Sequence, residues 1–134
     1  MPLVRIDLTT GRTPEQVRAV ADAIHAAIVD QYGIPPRDRF QIVTEHPAQQ
    51  IIAEDAGLGF ERTEGVVMVQ VFTQRGRSAE AKAALYAAVH ERLVAVGVAS
   101  EDVFIGYVEN GPEDWSFGFG RAQYQTGELA VPSA

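Results

Sequence analysis

The chain repeats itself, and this repeat limits its fold more than any other feature of the 134 residues. Val4-Arg5-Ile6-Asp7-Leu8 aligns with Val69-Gln70-Val71-Phe72-Thr73. In the same register Gly11-Arg12-Thr13 falls on Gly76-Arg77-Ser78, Glu15 on Glu80 and His25 on His90. One deletion later, Gly33 meets Gly97, Asp38 meets Asp102, Phe40 meets Phe104 and Glu45 meets Glu109.

Each half reads strand, helix, strand. In the first, Thr13 is an N-cap, Pro14 takes the first helical position and Gln16 completes a capping box. Val17, Val20, Ile24 and Ile28 form an apolar stripe at helical spacing, and Gly33 supplies the stop. In the second, Ser78 caps, Ala81, Leu85, Ala88 and Val89 make the stripe, and Gly97 ends it. Strands are predicted over Leu3–Leu8, Arg39–Thr44, Val66–Thr73 and Val103–Val108. Within each half they run parallel, joined by a right-handed helical crossover.

Two such copies, too long for solenoid modules, make one α+β domain over 1–134 with halves of about 2–46 and 66–110. The expected architecture is a four-stranded mixed sheet with two helices on one face and a pseudo-twofold axis between the halves. Gly111-Pro112-Glu113 marks the turn leaving the last strand. Gly118-Phe119-Gly120 lacks a nucleotide loop's context and reads as a turn or a short C-terminal hairpin. Residues 130–134 read as a loose tail.

Composition narrows the function. A hydrophobic content of 46% suits one globular core. A net charge of -7 argues against nucleic acid or an anionic membrane as partner, so an anionic ligand must meet a local arginine cluster. With no cysteine, neither a disulfide nor a thiolate metal site is available. His25 and His90 have no second ligand at useful spacing, so no metal site is expected. No signal-type or membrane-spanning run is present, which makes a soluble, cytoplasmic protein the expectation.

Pro2 follows an initiator Met1 and precedes the first strand. If Met1 is trimmed, the ring nitrogen becomes a free secondary amine able to act as acid, base or nucleophile; if not, Pro2 is an ordinary strand starter. The sheet geometry gives it company. Asp38 precedes the strand parallel to the first, and the end of the antiparallel third strand brings Arg75 and Arg77 to the same edge. Other readings stay open: Asp38 and Asp102 both suit a turn before a strand, and Arg12, the mate of Arg77, belongs at the opposite edge with no proline. Trp115, Phe117 and Tyr124 suit a core or a subunit interface as well as a pocket wall.

These residues resemble the tautomerase superfamily, and within it the malonate semialdehyde decarboxylases. The resemblance is carried by Pro2, Ile34-Pro35-Pro36-Arg37-Asp38-Arg39-Phe40-Gln41, Glu54-Asp55-Ala56-Gly57-Leu58-Gly59, Gly76-Arg77-Ser78, and Glu109-Asn110 through Asp114-Trp115-Ser116-Phe117-Gly118. It implies that Pro2 is the catalytic amine, Asp38 its carboxylate partner and Arg77 the main arginine for a small carboxylate substrate. Arg75 would assist, although the loop Thr73-Gln74-Arg75-Gly76-Arg77 carries one extra residue. Trp115, Phe117, Tyr124 and Leu129 would form an apolar wall. The resemblance further implies a homotrimer, with the segment 111–134 reaching a neighbour, and no cofactor.

Three functions compete: decarboxylation of a 3-oxo acid with Pro2 as general acid, tautomerase or hydratase chemistry at the same proline, and non-catalytic binding by an oligomer. A terminal amine titrates at about 7.7 to 8.0 when unperturbed. Contact with Asp38 is expected to raise that value and favour the acid role.

Overall fold

A computed structural model describes residues 1–131. Strand β1 (Leu3–Thr9) leads into helix α1 (Pro14–Tyr32) and strand β2 (Phe40–His46); β3 (Val67–Gln74), α2 (Ala79–Ala95) and β4 (Val103–Asn110) repeat the pattern. The sheet order is β2-β1-β3-β4. β1 pairs parallel with β2 from Leu3↔Phe40, and β3 pairs parallel with β4 through Met68↔Phe104, the same contact one repeat later. The halves join antiparallel, with Val4 opposite Val71 and Ile6 opposite Val69. That register maps onto itself when Val4 is laid on Val69, as a twofold axis requires.

The helices form where the sequence caps them. Thr13 accepts from the Gln16 amide at 3.2 Å while the Gln16 side chain takes the Thr13 amide at 2.8 Å, so two of the first turn's orphan donors are satisfied. Ser78 caps α2 through the Ala81 amide at 3.1 Å. Val20, Ile24 and Ile28 of α1 and Leu85, Val89 and Leu93 of α2 are buried against Val4, Ile6, Leu8, Val67, Val69 and Val71. Each half thus lays its apolar stripe on one sheet face, to which β1 and β3 contribute alternate aliphatic residues. The opposite face keeps Phe40, Ile42, Phe104 and Val108 substantially exposed.

One element departs from expectation. No hairpin forms after β4 among the described residues; a 3-10 turn (Pro112–Asp114) is followed by an irregular stretch and a four-residue helix α3 (Gln123–Thr126). Gly118, Phe119 and Gly120 all take positive φ, which coils the chain instead of extending it. The Gln123 amide then does what a partner strand would do, accepting from Phe117 N and donating to Gly118 O, both at 2.8 Å. Residues 132–134 of the expected tail lie outside the described residues. No described helix is long and apolar enough to cross a membrane.

Candidate active site

Asp38 reaches the site through the end of α1. Gly33 closes that helix in the left-handed region at φ 63°, where a side chain is strained, and turns the chain into Ile34-Pro35-Pro36-Arg37-Asp38. The turn is tied by Asp38 N to Pro35 O at 2.9 Å, and His25 Nε2 lies 2.7 Å from the Pro36 carbonyl. His25 is buried and pins this loop.

The loop brings Asp38 to the start of β1. The Met1 amino nitrogen stands 3.7 Å from Asp38 Oδ2, with the aspartate side chain only 4% exposed. Neither Asp38 oxygen has a hydrogen-bond partner among the described residues. Pro2 is buried directly behind Met1, its ring nitrogen an amide while Met1 is attached. Burial lowers the amine's pKa, opposed by the charge of Asp38 and reinforced by that of Arg77. Burial likewise raises the Asp38 pKa, against the pull of the amine, His25 and Arg77. Both partners are therefore pushed towards neutrality. The expected upward shift of the terminal amine is reversed in the amine present here, because taking it out of water outweighs an ion pair at this distance.

Arg77 arrives from the β3–α2 loop. Its Nη1 donates to Thr73 Oγ1 at 3.2 Å, and its guanidinium lies 3.9 Å from the centre of the Tyr32 ring. Tyr32 in turn meets the Tyr107 hydroxyl at 3.2 Å, and burial raises its pKa, so it is neutral. This platform fixes the plane of the arginine, the condition for a two-pronged grip on a carboxylate. Arg75 does not join it: its side chain is 62% exposed and directed to Glu113, 3.8 Å away.

A cavity of about 400 Å³ opens on Met1, Tyr32, Ile34, Asp38 and Leu129. Leu129 thus stands where the wall was expected. Trp115 and Phe117 stack with centroids 5.8 Å apart, and Phe117 meets Tyr124 edge-on at 5.4 Å. This ladder continues to Phe40, 5.7 Å from Phe117, and none of its three rings lines the cavity, although Tyr124 feels the charges of both Asp38 and Arg77. A roomier groove of about 580 Å³ between α1 and β2 is less suited to chemistry. Its Arg39 and Arg18 are both committed to Asp22, at 2.6 and 3.0 Å.

The opposite sheet edge shows what the same motif does without an amine. Asp102 is fully buried and accepts from Thr63 N at 2.8 Å and from the Thr63 hydroxyl. Arg12 is spent on the Gly65 carbonyl at 2.7 Å. His90 Nε2 meets Ser100 Oγ at 2.6 Å, mirroring the contact of His25 with Pro36. Sequence reasoning missed Tyr32 and the pinning by His25. The one available signal for Tyr32 was its place beside the helix-ending Gly33.

A repeated β-α-β sheet with an amino-terminal proline edge is the architecture of the tautomerases. The chain belongs to that family: models described as tautomerase enzyme match residues 38–118 and residues 2–61. It is 44% identical over 130 residues to the probable tautomerase YrdN of Bacillus subtilis (strain 168), covering 96% of this chain and all of that one. Among solved structures, FG41 malonate semialdehyde decarboxylase inhibited by 3-bromopropiolate matches with a TM-score of 0.95 and 60% identity, over 97% of this chain and 99% of that one. A fused 4-OT described as a symmetric trimer matches with a TM-score of 0.76 and 27% identity, over 93% and 98%.

Proposed function

We propose that the chain, once relieved of Met1, decarboxylates malonate semialdehyde or a similar small 3-oxo acid without a cofactor. The observation that carries this reading is a buried carboxylate, Asp38, without hydrogen bonds among the described residues and set against the terminal amine, with the Arg77 guanidinium acting on both. The 60% identity to a malonate semialdehyde decarboxylase supports the same reading.

Arg77 holds the substrate carboxylate and turns it so that the breaking C–C bond overlaps the carbonyl π-system. The protonated Pro2 nitrogen donates to the carbonyl oxygen and stabilises the charge that develops there. Asp38 opposes, without cancelling, the loss of charge that burial imposes on that nitrogen, and the lowered pKa makes its proton transferable near neutral pH. The apolar lining at Ile34 and Leu129 solvates the departing carboxylate poorly and favours uncharged CO₂. Arg75, exposed and facing Glu113, has at most an outer role. The exposed sheet face and the trimeric fused 4-OT support a homotrimer.

Tautomerase chemistry at the same amine is the second reading. It is favoured by the name of YrdN and by the lowered amine pKa, since a neutral amine is a base. The two differ in sign with pH. If Pro2 shares this burial, a general-acid decarboxylase loses kcat/KM as pH rises through a value below 8.0, and a general-base tautomerase gains it.

The deciding experiment takes protein whose intact mass shows loss of Met1 and offers malonate semialdehyde and a 2-hydroxymuconate-type enol acid. Pro2→Ala and Arg77→Ala are run beside it. The expected result is preference for malonate semialdehyde and at least about a hundredfold loss in both variants. Equal rates for all three proteins would remove the mechanism.

A further inference from the structure

Arg77 is carried on a glycine hinge. It follows Gly76, which takes φ 127°, a conformation that only glycine adopts freely, in the short loop between the end of β3 at Gln74 and the start of α2 at Ala79. A guanidinium on such a loop grips a carboxylate in one orientation only when the loop is held by its surroundings.

Lys82 and Glu109 supply that hold. From the first turn of α2, Lys82 brings its ammonium to 4.9 Å from the centre of the Tyr107 ring and to 2.9 Å from Glu109 Oε1, at the end of β4. The pair ties the helix that follows the loop to the strand beside β3. Glu109 stands opposite Thr73, whose hydroxyl accepts from Arg77, and the next carbonyl, that of Asn110, accepts from the Arg75 amide at 2.7 Å. The Lys82 ammonium holds the Glu109 carboxyl below the usual carboxylate range, against burial, and the Gly76 amide donates to the same carboxylate. The residue directly before Arg77 is thereby fastened.

The repeat sets this arrangement apart from ordinary scaffolding. Glu109 has Glu45 as its mate, but Lys82, Thr73 and Tyr107 fall on Val17, Leu8 and Val43. The polar set thus stands at the proline edge, and aliphatic side chains replace it at the edge where Arg12 is spent on a backbone carbonyl. Stability does not account for the pair: its side chains are 22% and 36% exposed, and ion pairs so open to water contribute little.

We propose that Glu109 and Lys82 are positioning residues for Arg77: Glu109 fastens the Gly76 hinge and Lys82 fastens Glu109, so that the guanidinium meets the substrate carboxylate in one orientation. Neither side chain touches the ligand. The assignment rests on the reading of Arg77 as the group that binds the carboxylate.

The test is a double-mutant cycle on Met1-free protein, with Glu109→Ala and Arg77→Ala made singly and together and malonate titrated as the probe by NMR. Glu109→Ala is expected to weaken malonate binding about tenfold when Arg77 is present and less than about twofold in Arg77→Ala, because its effect passes through the arginine. Glu109→Gln, which keeps an acceptor for the Gly76 amide, should recover most of the loss. Lys82→Met should lose about threefold, again only with Arg77 in place. Melting temperatures of the Glu109 and Lys82 variants should stay within about 3 °C of wild type, and Glu45→Ala should bind malonate as wild type does. Equal malonate affinity in wild type and Glu109→Ala, an equal loss in both backgrounds, or a Lys82→Met loss that persists without Arg77 would each overturn the assignment. No malonate binding by wild type, or binding undiminished in Arg77→Ala, would reject the carboxylate reading and the assignment together. The expected coupling without decarboxylation of malonate semialdehyde by wild type would reject the decarboxylase alone and leave the pair as positioning residues of a carboxylate site.

Discussion

Asp38 and Asp102 occupy one position of the repeat and live under opposite conditions. Asp102 is braced by the Thr63 amide and hydroxyl, whereas Asp38 accepts no hydrogen bond among the described residues and has its pKa raised by burial. A raised folded pKa means that the native state holds its proton more tightly than the unfolded chain. Between the ordinary carboxylate value and the raised one, the native state binds more protons, so stability falls as pH rises through that window and stays reduced above it. Asp38→Asn is therefore expected to melt no lower than wild type at pH 7, with any advantage gone once the solution is acidic enough to protonate Asp38 in both states. Asp102→Ala should lose about 3 kcal/mol, because a fully buried carboxylate gives up two hydrogen bonds, from the Thr63 amide and hydroxyl. Thermal melts at both pH values check this; a loss in Asp38→Asn matching that in Asp102→Ala would defeat the distinction. The sequence made the two aspartates legible as mates and put them at opposite edges, through the repeat alone. Which one is satisfied was not legible, since Thr63 comes from the linker between the halves and meets Asp102 only in three dimensions.

At the scale of elements, the site depends on how α1 ends. Gly33 turns the chain and His25, two helical turns earlier, fastens the Pro36 carbonyl, so the helix holds the loop that holds Asp38. His90 makes the matching contact with Ser100 at the edge without an amine, which supplies an internal control. His25→Ala is expected to cost about 1 to 2 kcal/mol from a lost part-buried hydrogen bond and its packing, and to lower turnover by displacing Asp38. His90→Ala should cost less and leave turnover unchanged. Parallel melts and rate assays decide it, and an undiminished rate in His25→Ala would show that the loop holds itself. The capped helices and the four strands were readable because caps and periodicity are local. The segment after β4 was not, because the Gln123 side chain replaces backbone pairing there and no spacing rule encodes that exchange. The divergence of Arg75 from Arg77 has the same origin: a loop insertion was visible, but its direction depends on Glu113.

At the scale of the whole molecule, the sheet has two apolar faces and the helices cover one. Phe40 and Ile42 on β2 and Phe104 and Val108 on β4 are each at least 40% exposed, and the half-buried Leu3, Met68 and Phe72 lie between them. Such a surface on a chain of net charge -7 calls for a partner that is equally apolar there, and a second and third copy of the same face meet that demand. The Asp7–His46 contact at 2.7 Å matches two polar groups of this face within the protomer, while Arg5 and Gln70, in register with Ile42, stand among its apolar side chains. Light scattering on the purified chain should accordingly give three protomer masses at micromolar concentration. Ile42→Glu, which places a charge amid the apolar surface, should shift the population to monomer, while leaving the helix-side core and its far-ultraviolet signal intact. The exposed Glu15→Ala serves as control and should remain trimeric. A wild-type monomer, or an Ile42→Glu trimer of undiminished stability to dilution, would mean that the exposed face is not what holds the copies together.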